Sequence, residues 1–274
     1  METGDNSTRA SVGVIGLGVV GRAAQTLFSE AGHDVVVWDA ANPDPYPHER
    51  LSRCAFCVVC VDTPTIDGRV DTSSVEEALS RVPVERVLLK STVTPGTTDR
   101  LVRQFGLQIC FWPEYTGEST YHNPHFPSRT ADVPFVVLGG EPETRSWFVD
   151  RLLPVLGPTK TYFQCAAREA ELIKYAANAY FATKITFVNE LRRIADAFGA
   201  DWHTVREGWL LDPRVERMHT AAFDHSPGYS GRCLPKDLAA LIGAAEDAGW
   251  EATLLQEVQR TNERLRATKS VTAR

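Results

Sequence analysis

The stretch Val12-Gly13-Val14-Ile15-Gly16-Leu17-Gly18-Val19-Val20-Gly21 decides the fold. Four apolar residues read as a buried parallel strand, and the glycine-spaced turn after them opens into a helix. Val20, Ala23, Ala24, Leu27 and Phe28 repeat near the 3.6-residue period, Gly32 stops the helix, and Asp34–Trp38 forms a second strand closed by Asp39. A G-x-G-x-x-G pattern alone is weak. Set between a strand and a helix, with an acidic residue ending the next strand, it is the dinucleotide fingerprint. Gly16 allows the tight turn, Gly18 lets backbone amides near a pyrophosphate, and Gly21 lets the helix pack on the strand. The amides of Val19 and Val20 open the helix where phosphates sit. Asp39 accepts hydrogen bonds from a ribose 2′-hydroxyl and repels a 2′-phosphate, so NAD is expected over NADP.

Working outward, Pro43, Pro45 and Pro47 mark a link, followed by strand Phe56–Val61, a helix at Ser74–Leu79, strand Arg86–Leu89 and a helix at Thr97–Phe105. Strands Leu107–Phe111 and Pro134–Leu138 and the helix Glu141–Leu153 complete the alternation, which predicts an α/β, Rossmann-type, doubly wound parallel sheet over residues 11–164. Ala166–Ala200 keeps helical spacing almost without Gly or Pro. At 1.5 Å per residue that helix is about 50 Å long, too long for a crossover. It predicts the spine of an all-helical domain, 165–274, with further helices at Leu238–Ala245 and Ala252–Arg266. Met1–Ala10 reads as a disordered tail without an apolar core of the secretory type.

The 274 residues carry a net charge of −6, which excludes the basic footprint of a nucleic-acid binder. No run of apolar residues is long enough to span a membrane, so the expected location is the cytoplasm. Cys54, Cys57 and Cys60 lie on or beside one strand. Positions three apart face opposite sides, so these thiols are expected as buried hydrophobes and no metal site is expected. His122 and His125 read as a solvated loop. Trp202, Trp209 and Trp250 are expected in a core or an interface.

Three loops follow parallel strands, where active-site loops of such sheets sit: Thr63-Pro64-Thr65, Lys90-Ser91-Thr92-Val93-Thr94-Pro95-Gly96 and Pro113-Glu114-Tyr115-Thr116-Gly117-Glu118. On the long helix Lys174 and Asn178 share a face, a donor pair able to hold an oxyanion. The bland alternative is a solvated Lys174 paired with Glu171 and an exposed Asn178. In Gly228-Tyr229-Ser230-Gly231-Arg232-Cys233-Leu234-Pro235-Lys236-Asp237 the cysteine is accessible, Arg232 and Lys236 favour a thiolate, and Asp237 is placed to serve as a base.

Together these segments resemble the UDP-glucose/GDP-mannose dehydrogenases, in order from Val12 to Asn262. Cys60-Val61-Asp62-Thr63-Pro64-Thr65, Asn189-Glu190-Leu191 and Asp212-Pro213-Arg214 add to the motifs above, while Ser230 and Thr94 depart from the pattern. The resemblance implies oxidation of a primary alcohol of a sugar nucleotide, sugar phosphate or nucleoside to a carboxylate, using NAD twice. It implies Cys233 as nucleophile through a thiohemiacetal and thioester, Lys174 and Asn178 as oxyanion holders, and Asp237, Thr92 and Glu114 as water-handling groups. It places Thr63, Thr92, Glu118 and Lys236 at NAD, and Glu114, Lys174, Asn178, Gly231 and Arg214 at the substrate. A homodimer through the long helix is implied, and the end at Arg274 reads as a short form without the further nucleotide-gripping domain. Two other readings stay open: a two-electron 3-hydroxyacid/6-phosphogluconate-type dehydrogenase, which needs no cysteine, and a non-catalytic NAD-binding scaffold.

Overall fold

The computed structural model describes residues 10–42, 44–116 and 127–272. In chain order the elements are β1 (Val12–Ile15), α1 (Val19–Glu30), β2 (Val35–Trp38), α2 (His48–Leu51), β3 (Phe56–Val59), β4 (Thr65–Ile66), β5 (Arg69–Val70), α3 (Ser73–Arg81), β6 (Arg86–Leu89), α4 (Thr97–Phe105) and β7 (Gln108–Phe111). A single 3₁₀ turn (Thr130–Asp132) precedes β8 (Phe135–Gly139), α5 (Pro142–Leu156), β9 (Thr161–Cys165), α6 (Ala167–Ala197), α7 (Trp202–Trp209), α8 (Leu234–Asp247) and α9 (Thr253–Thr272).

The contacts divide the chain into two compact units, Met1–Pro64 with Asp71–Ile173, and Thr65–Val70 with Lys174–Arg274. The packing boundary thus lies inside the long helix, past the expected Gln164. Ala167 and Ala170, in the first turns of α6, are buried, and Ala170 belongs to the core of the first unit.

That unit is a seven-stranded sheet in the order β2-β1-β3-β6-β7-β8-β9. Strands β2, β1, β3, β6 and β7 run parallel; β8 joins β7 antiparallel and β9 joins β8 parallel, a departure from an all-parallel reading. Both faces are covered. One core packs Val75, Leu79 and Leu101 of α3 and α4 against Ile15, Val59 and Leu89, and the other packs Leu27, Phe28, Phe148 and Leu152 of α1 and α5 against Val12, Val14 and Val58. This two-sided burial explains why β1, β3 and β6 are continuous apolar runs rather than alternating ones. Cys57 and Cys60 fall in opposite cores, as strand alternation requires, whereas Cys54, which precedes β3, shares the first core with Cys57 instead of facing the other side. Burial pushes the thiols up, Cys54 to about 11 and Cys57 and Cys60 to about 12.

In the second unit Ala179, Ala182, Leu238, Ile242 and Val258 bring α6, α8 and α9 together, and Val188, Ala195 and Trp202 join α6 to α7. Trp209 packs at that second cluster, whereas Trp250 is 72% exposed and belongs to no core. The hairpin β4–β5 turns at Asp67 and Gly68, both with positive φ (48° and 75°), the conformation of a two-residue Asp-Gly turn. Its Arg69 pairs with Asp247 at 2.8 Å, and Thr65 Oγ1 donates to the Lys236 carbonyl at 3.3 Å, bracing the two ends of α8.

Candidate functional site

The first group of candidate residues lies at the carboxyl edge of the parallel strands. Gly16 adopts φ 91°, and a Cβ there would stand 2.7 Å from the Cys60 carbonyl oxygen. A Cβ at Gly21 would stand 1.8 Å from the Gly16 oxygen, so α1 cannot start in this place with any side chain at that position. Gly18 differs: no protein atom lies within 4 Å of its hypothetical Cβ. It leaves room in front of the N-terminus of α1, where Val19 and Val20 stand and the helix dipole favours an anion. Asp39 Oδ2 accepts the Leu17 N–H of the turn at 2.5 Å and Oδ1 accepts that of Ala41 at 2.9 Å. These bonds, the Leu17 one foremost, hold its carboxyl below the ordinary aspartate range.

Thr63 is buried and its hydroxyl donates to the Thr92 carbonyl at 2.8 Å; Ser91 Oγ donates to the Val61 carbonyl at 2.7 Å. The loops after β3 and β6 are therefore tied side to side. Glu114, after β7, has its carboxylate filled. Oε1 accepts the Tyr115 and Thr116 N–H groups, both at 2.9 Å; Oε2 accepts the Thr130 hydroxyl at 3.0 Å and lies 3.2 Å from Lys90 Nζ. Burial pushes this carboxyl up, but the Lys90 charge and the hydrogen bonds outweigh it and hold it at about 2. Glu118, Gly117, His122 and His125 lie outside the described residues.

One more carboxylate belongs to this unit. Glu171 is fully buried and accepts the Gly96 N–H at 2.5 Å, the Thr98 N–H at 2.7 Å and the Thr98 hydroxyl at 2.6 Å, capping the N-terminus of α4. The solvated Lys174–Glu171 pair is thereby corrected. Helical spacing alone did not tell which face of α6 turns toward the sheet.

The second group lies in the helical unit. Asn178 on α6 donates from Nδ2 to Asp237 Oδ2 on α8 at 2.5 Å, and Lys236 Nζ meets Asp237 Oδ1 at 2.7 Å. Asp237 is 2% exposed and Asn178 7%, so the reading of an exposed Asn178 falls as well. Lys174 stands one turn before Asn178 and is half-buried. Cys233 is exposed at the N-cap of α8, and its carbonyl accepts the Asp237 N–H at 2.9 Å. The thiol thus sits at a helix N-terminus, where the dipole favours negative charge, one turn from a buried carboxylate. Gly231 (φ 89°) gives the loop its turn just before the cysteine. Arg214 is exposed and clamps Asp212, with Nη2 at 2.6 Å from Oδ2, so it does not join the Asn178–Asp237 cluster.

Residues missed from the sequence are Lys90, Thr130 and Glu171. A lysine at the end of an apolar strand was the available signal for the first; tertiary pairing alone reveals the other two.

With this geometry in place, comparison with known proteins is informative. Residues 168–264 match the UDP-glucose/GDP-mannose dehydrogenase family, central domain. Residues 168–264 thus carry this family's central-domain pattern. A UDP-glucose 6-dehydrogenase of Pseudomonas aeruginosa is 32% identical over 229 residues, 79% of this chain and 50% of that protein. The chain therefore spans half the length of that curated relative. The solved UDP-glucose dehydrogenase of the archaeon Pyrobaculum islandicum superposes with a TM-score of 0.81 at 28% identity, covering 96% of this chain and 70% of that one. A Mycobacterium tuberculosis 3-hydroxyisobutyrate dehydrogenase shares the fold (TM-score 0.71, 17% identity, 94% of each chain).

Proposed function

We propose that this chain is an NAD-dependent oxidoreductase of the UDP-glucose/GDP-mannose dehydrogenase family that takes a primary alcohol of a sugar nucleotide to the carboxylate. The observation that carries the reading is the buried Asn178–Asp237–Lys236 cluster set one helical turn from the exposed Cys233. A scaffold gains nothing from an accessible thiol beside a desolvated carboxylate.

The glycine turn fits a dinucleotide. Gly18 leaves space that no protein atom needs, α1 points its N-terminus there, and Asp39 retains lone pairs beyond the two N–H bonds it accepts. Asp39 would hold the ribose hydroxyls and disfavour a 2′-phosphate. Bound NAD supplies the hydride acceptor for both oxidations.

The chain's own residues perform the rest. Cys233, favoured as thiolate by the α8 N-terminus, adds its sulfur to the aldehyde carbon and gives a thiohemiacetal. Lys174 and Asn178, one turn apart on α6, donate to the oxygen that becomes negative. After oxidation to the thioester, a water ordered by Asp237 replaces the sulfur, releasing the acid and regenerating the thiolate. Thr63, Thr92 and Glu114, on the loops after β3, β6 and β7, and Lys236, in the first turn of α8, are assigned to water and cofactor. Gly231 and Arg214 are assigned to the substrate, and Glu118 to the cofactor.

Large apolar side chains remain exposed along α6 and α7. Phe187, Leu191, Ile194, Phe198, Val205 and Trp209 line a cavity of about 300 Å³, and Phe198 is 84% exposed. A second copy packed through the long helix covers them. None of the six cysteines is in a disulfide and no helix among the described residues is long and apolar enough to cross a membrane, which suits the cytoplasm.

The test incubates the protein with NAD and a panel of UDP- and GDP-sugars, sugar phosphates and nucleosides, reading NADH by absorbance and product by mass. A carboxylate is expected. An aldehyde or ketone as the only product would favour the two-electron reading, and NAD binding with no turnover on the whole panel would favour a scaffold.

A further inference from the structure

The family reading leaves Lys90 without a role, and its surroundings are unusual. Its side chain is 0% exposed. Nζ lies 3.2 Å from Glu114 Oε2 and 3.7 Å from the centroid of the Trp112 ring. Among the described residues no hydrogen bond of good geometry reaches it, so the carboxylate and the ring face provide its electrostatic partners. A buried lysine is stable only if such compensation is present, and equally a buried carboxylate needs its cation.

We propose that Lys90 is a positioning residue that keeps Glu114 permanently ionised and fixed in one rotamer, so that Glu114 acts as a standing negative charge and water acceptor rather than as a proton carrier. The proposal rests on the dehydrogenase reading for its catalytic meaning and on the geometry for its electrostatics. Three hydrogen-bond donors, two backbone amides and the Thr130 hydroxyl, and the Lys90 ammonium converge on the two oxygens. Of these only Lys90 carries charge. Among the described residues, Cys60, just after β3, also faces the pair; its thiol is held at about 12 by burial and is neutral near pH 7. The carboxyl of Glu114 at about 2 agrees with a group that does not exchange protons near neutrality.

The experiment compares wild type with Lys90→Gln, Lys90→Arg and the double variant Lys90→Gln/Glu114→Gln. Infrared spectra at pH 4.5, the ordinary glutamate value, read the protonated-carboxyl stretch. In difference spectra against wild type, whose own protonated carboxyls such as Glu171 cancel, Lys90→Gln is expected to gain intensity that the double variant loses, with Lys90→Arg resembling wild type. In NADH formation the acid limb of kcat/KM is expected to move up by about 1–3 pH units in Lys90→Gln and to be rescued by arginine. A Lys90→Gln spectrum and pH profile superimposable on wild type overturn the proposal. Should Lys90→Gln fail to fold, the double variant decides: recovery of folding supports the pairing, and failure overturns it. If wild type turns over nothing, the dehydrogenase reading fails while the infrared result still judges Lys90.

Discussion

Asn178 and Asp237 are 59 residues apart in the chain, yet the amide of one donates to the carboxylate of the other at 2.5 Å in a buried setting, joining α6 to α8 beneath Cys233. Since Asp237 also meets Lys236, its two oxygens are each held by a partner, one on α6 and one beside it on α8. This bond is a hinge for both stability and activity, and the two can be separated by substitution.

Asn178→Ala removes the donor and leaves a buried carboxylate oxygen unpaired. A loss of about 1.5–3 kcal/mol is expected, read by calorimetry or urea titration. Asp237→Asn keeps a hydrogen-bonding partner of the same shape, so its melting temperature should stay closer to wild type than that of Asn178→Ala. Its NADH production should nonetheless fall by at least about ten-fold if Asp237 orders the attacking water.

Gly18 and Gly21 share one motif but answer to different demands. A Cβ at Gly21 meets the Gly16 oxygen at 1.8 Å, so Gly21→Ala has to break the turn and should be recovered poorly or melt far below wild type. A Cβ at Gly18 meets no protein atom, so Gly18→Ala should lie within about 0.5 kcal/mol of wild type in stability. Its affinity for NADH, titrated by fluorescence, should drop clearly. Equal losses of stability in the two variants would contradict the cofactor assignment of Gly18.

Glu171 predicts a pH dependence of stability. Burial raises its carboxyl to about 7, against hydrogen bonds from Thr98 and Gly96 that act to lower it, and Asp99 nearby adds to the rise. A carboxyl with a raised folded value binds its proton more tightly in the folded chain than in the unfolded one. Its contribution is therefore fully favourable below 4.5, the unfolded value, and is lost as pH rises from 4.5 to about 7. The loss is on the order of 3 kcal/mol. Glu171→Gln cannot ionise, so the difference in stability between variant and wild type should shift in favour of the variant across that window and level off above it. A flat difference across the window would show that Glu171 is ionised throughout.

What was legible from the chain, and what was not, follows from range. The strand–glycine turn–helix start, the two-sided burial of Val12–Ile15, and the long alanine-rich helix are local patterns, and periodicity reports them well. The direction of β8 has no local signature, because a strand paired antiparallel to β7 and parallel to β9 presents the same buried apolar residues either way. Strand β9 escaped because at this sheet edge four of its five residues are at least partly exposed, leaving no apolar run. The hairpin β4–β5 was too short for a pattern, although Asp67-Gly68 was the turn signal to heed. Among the site residues, Cys233, Asp237, Asn178 and Glu114 are reached from loop position, helical spacing and motif resemblance, whereas the roles of Lys90, Thr130 and Glu171 are set across the fold. Which side chain satisfies a buried charge is a tertiary question, and helical spacing put Glu171 on the wrong side of it.

Cys233 offers the sharpest division among the functional readings. It is exposed, lies in a turn before α8, and contributes little to any core, so Cys233→Ser should melt close to wild type, within about 0.5 kcal/mol. A serine hydroxyl at a helix N-terminus is not ionised near neutral pH, so it neither adds efficiently to an aldehyde nor leaves readily from an ester. The first oxidation, which needs no covalent bond to the protein, should persist in part, while carboxylate formation should stop. Rapid-quench measurement with limiting substrate should then give two NADH per substrate in wild type and at most one in the variant, with aldehyde or a trapped hydrate as product. If Cys233→Ser instead retains two NADH per substrate at full rate, the sulfur is a bystander and the thioester route falls; if wild type itself yields one NADH and a carbonyl product, the two-electron reading takes its place without any variant.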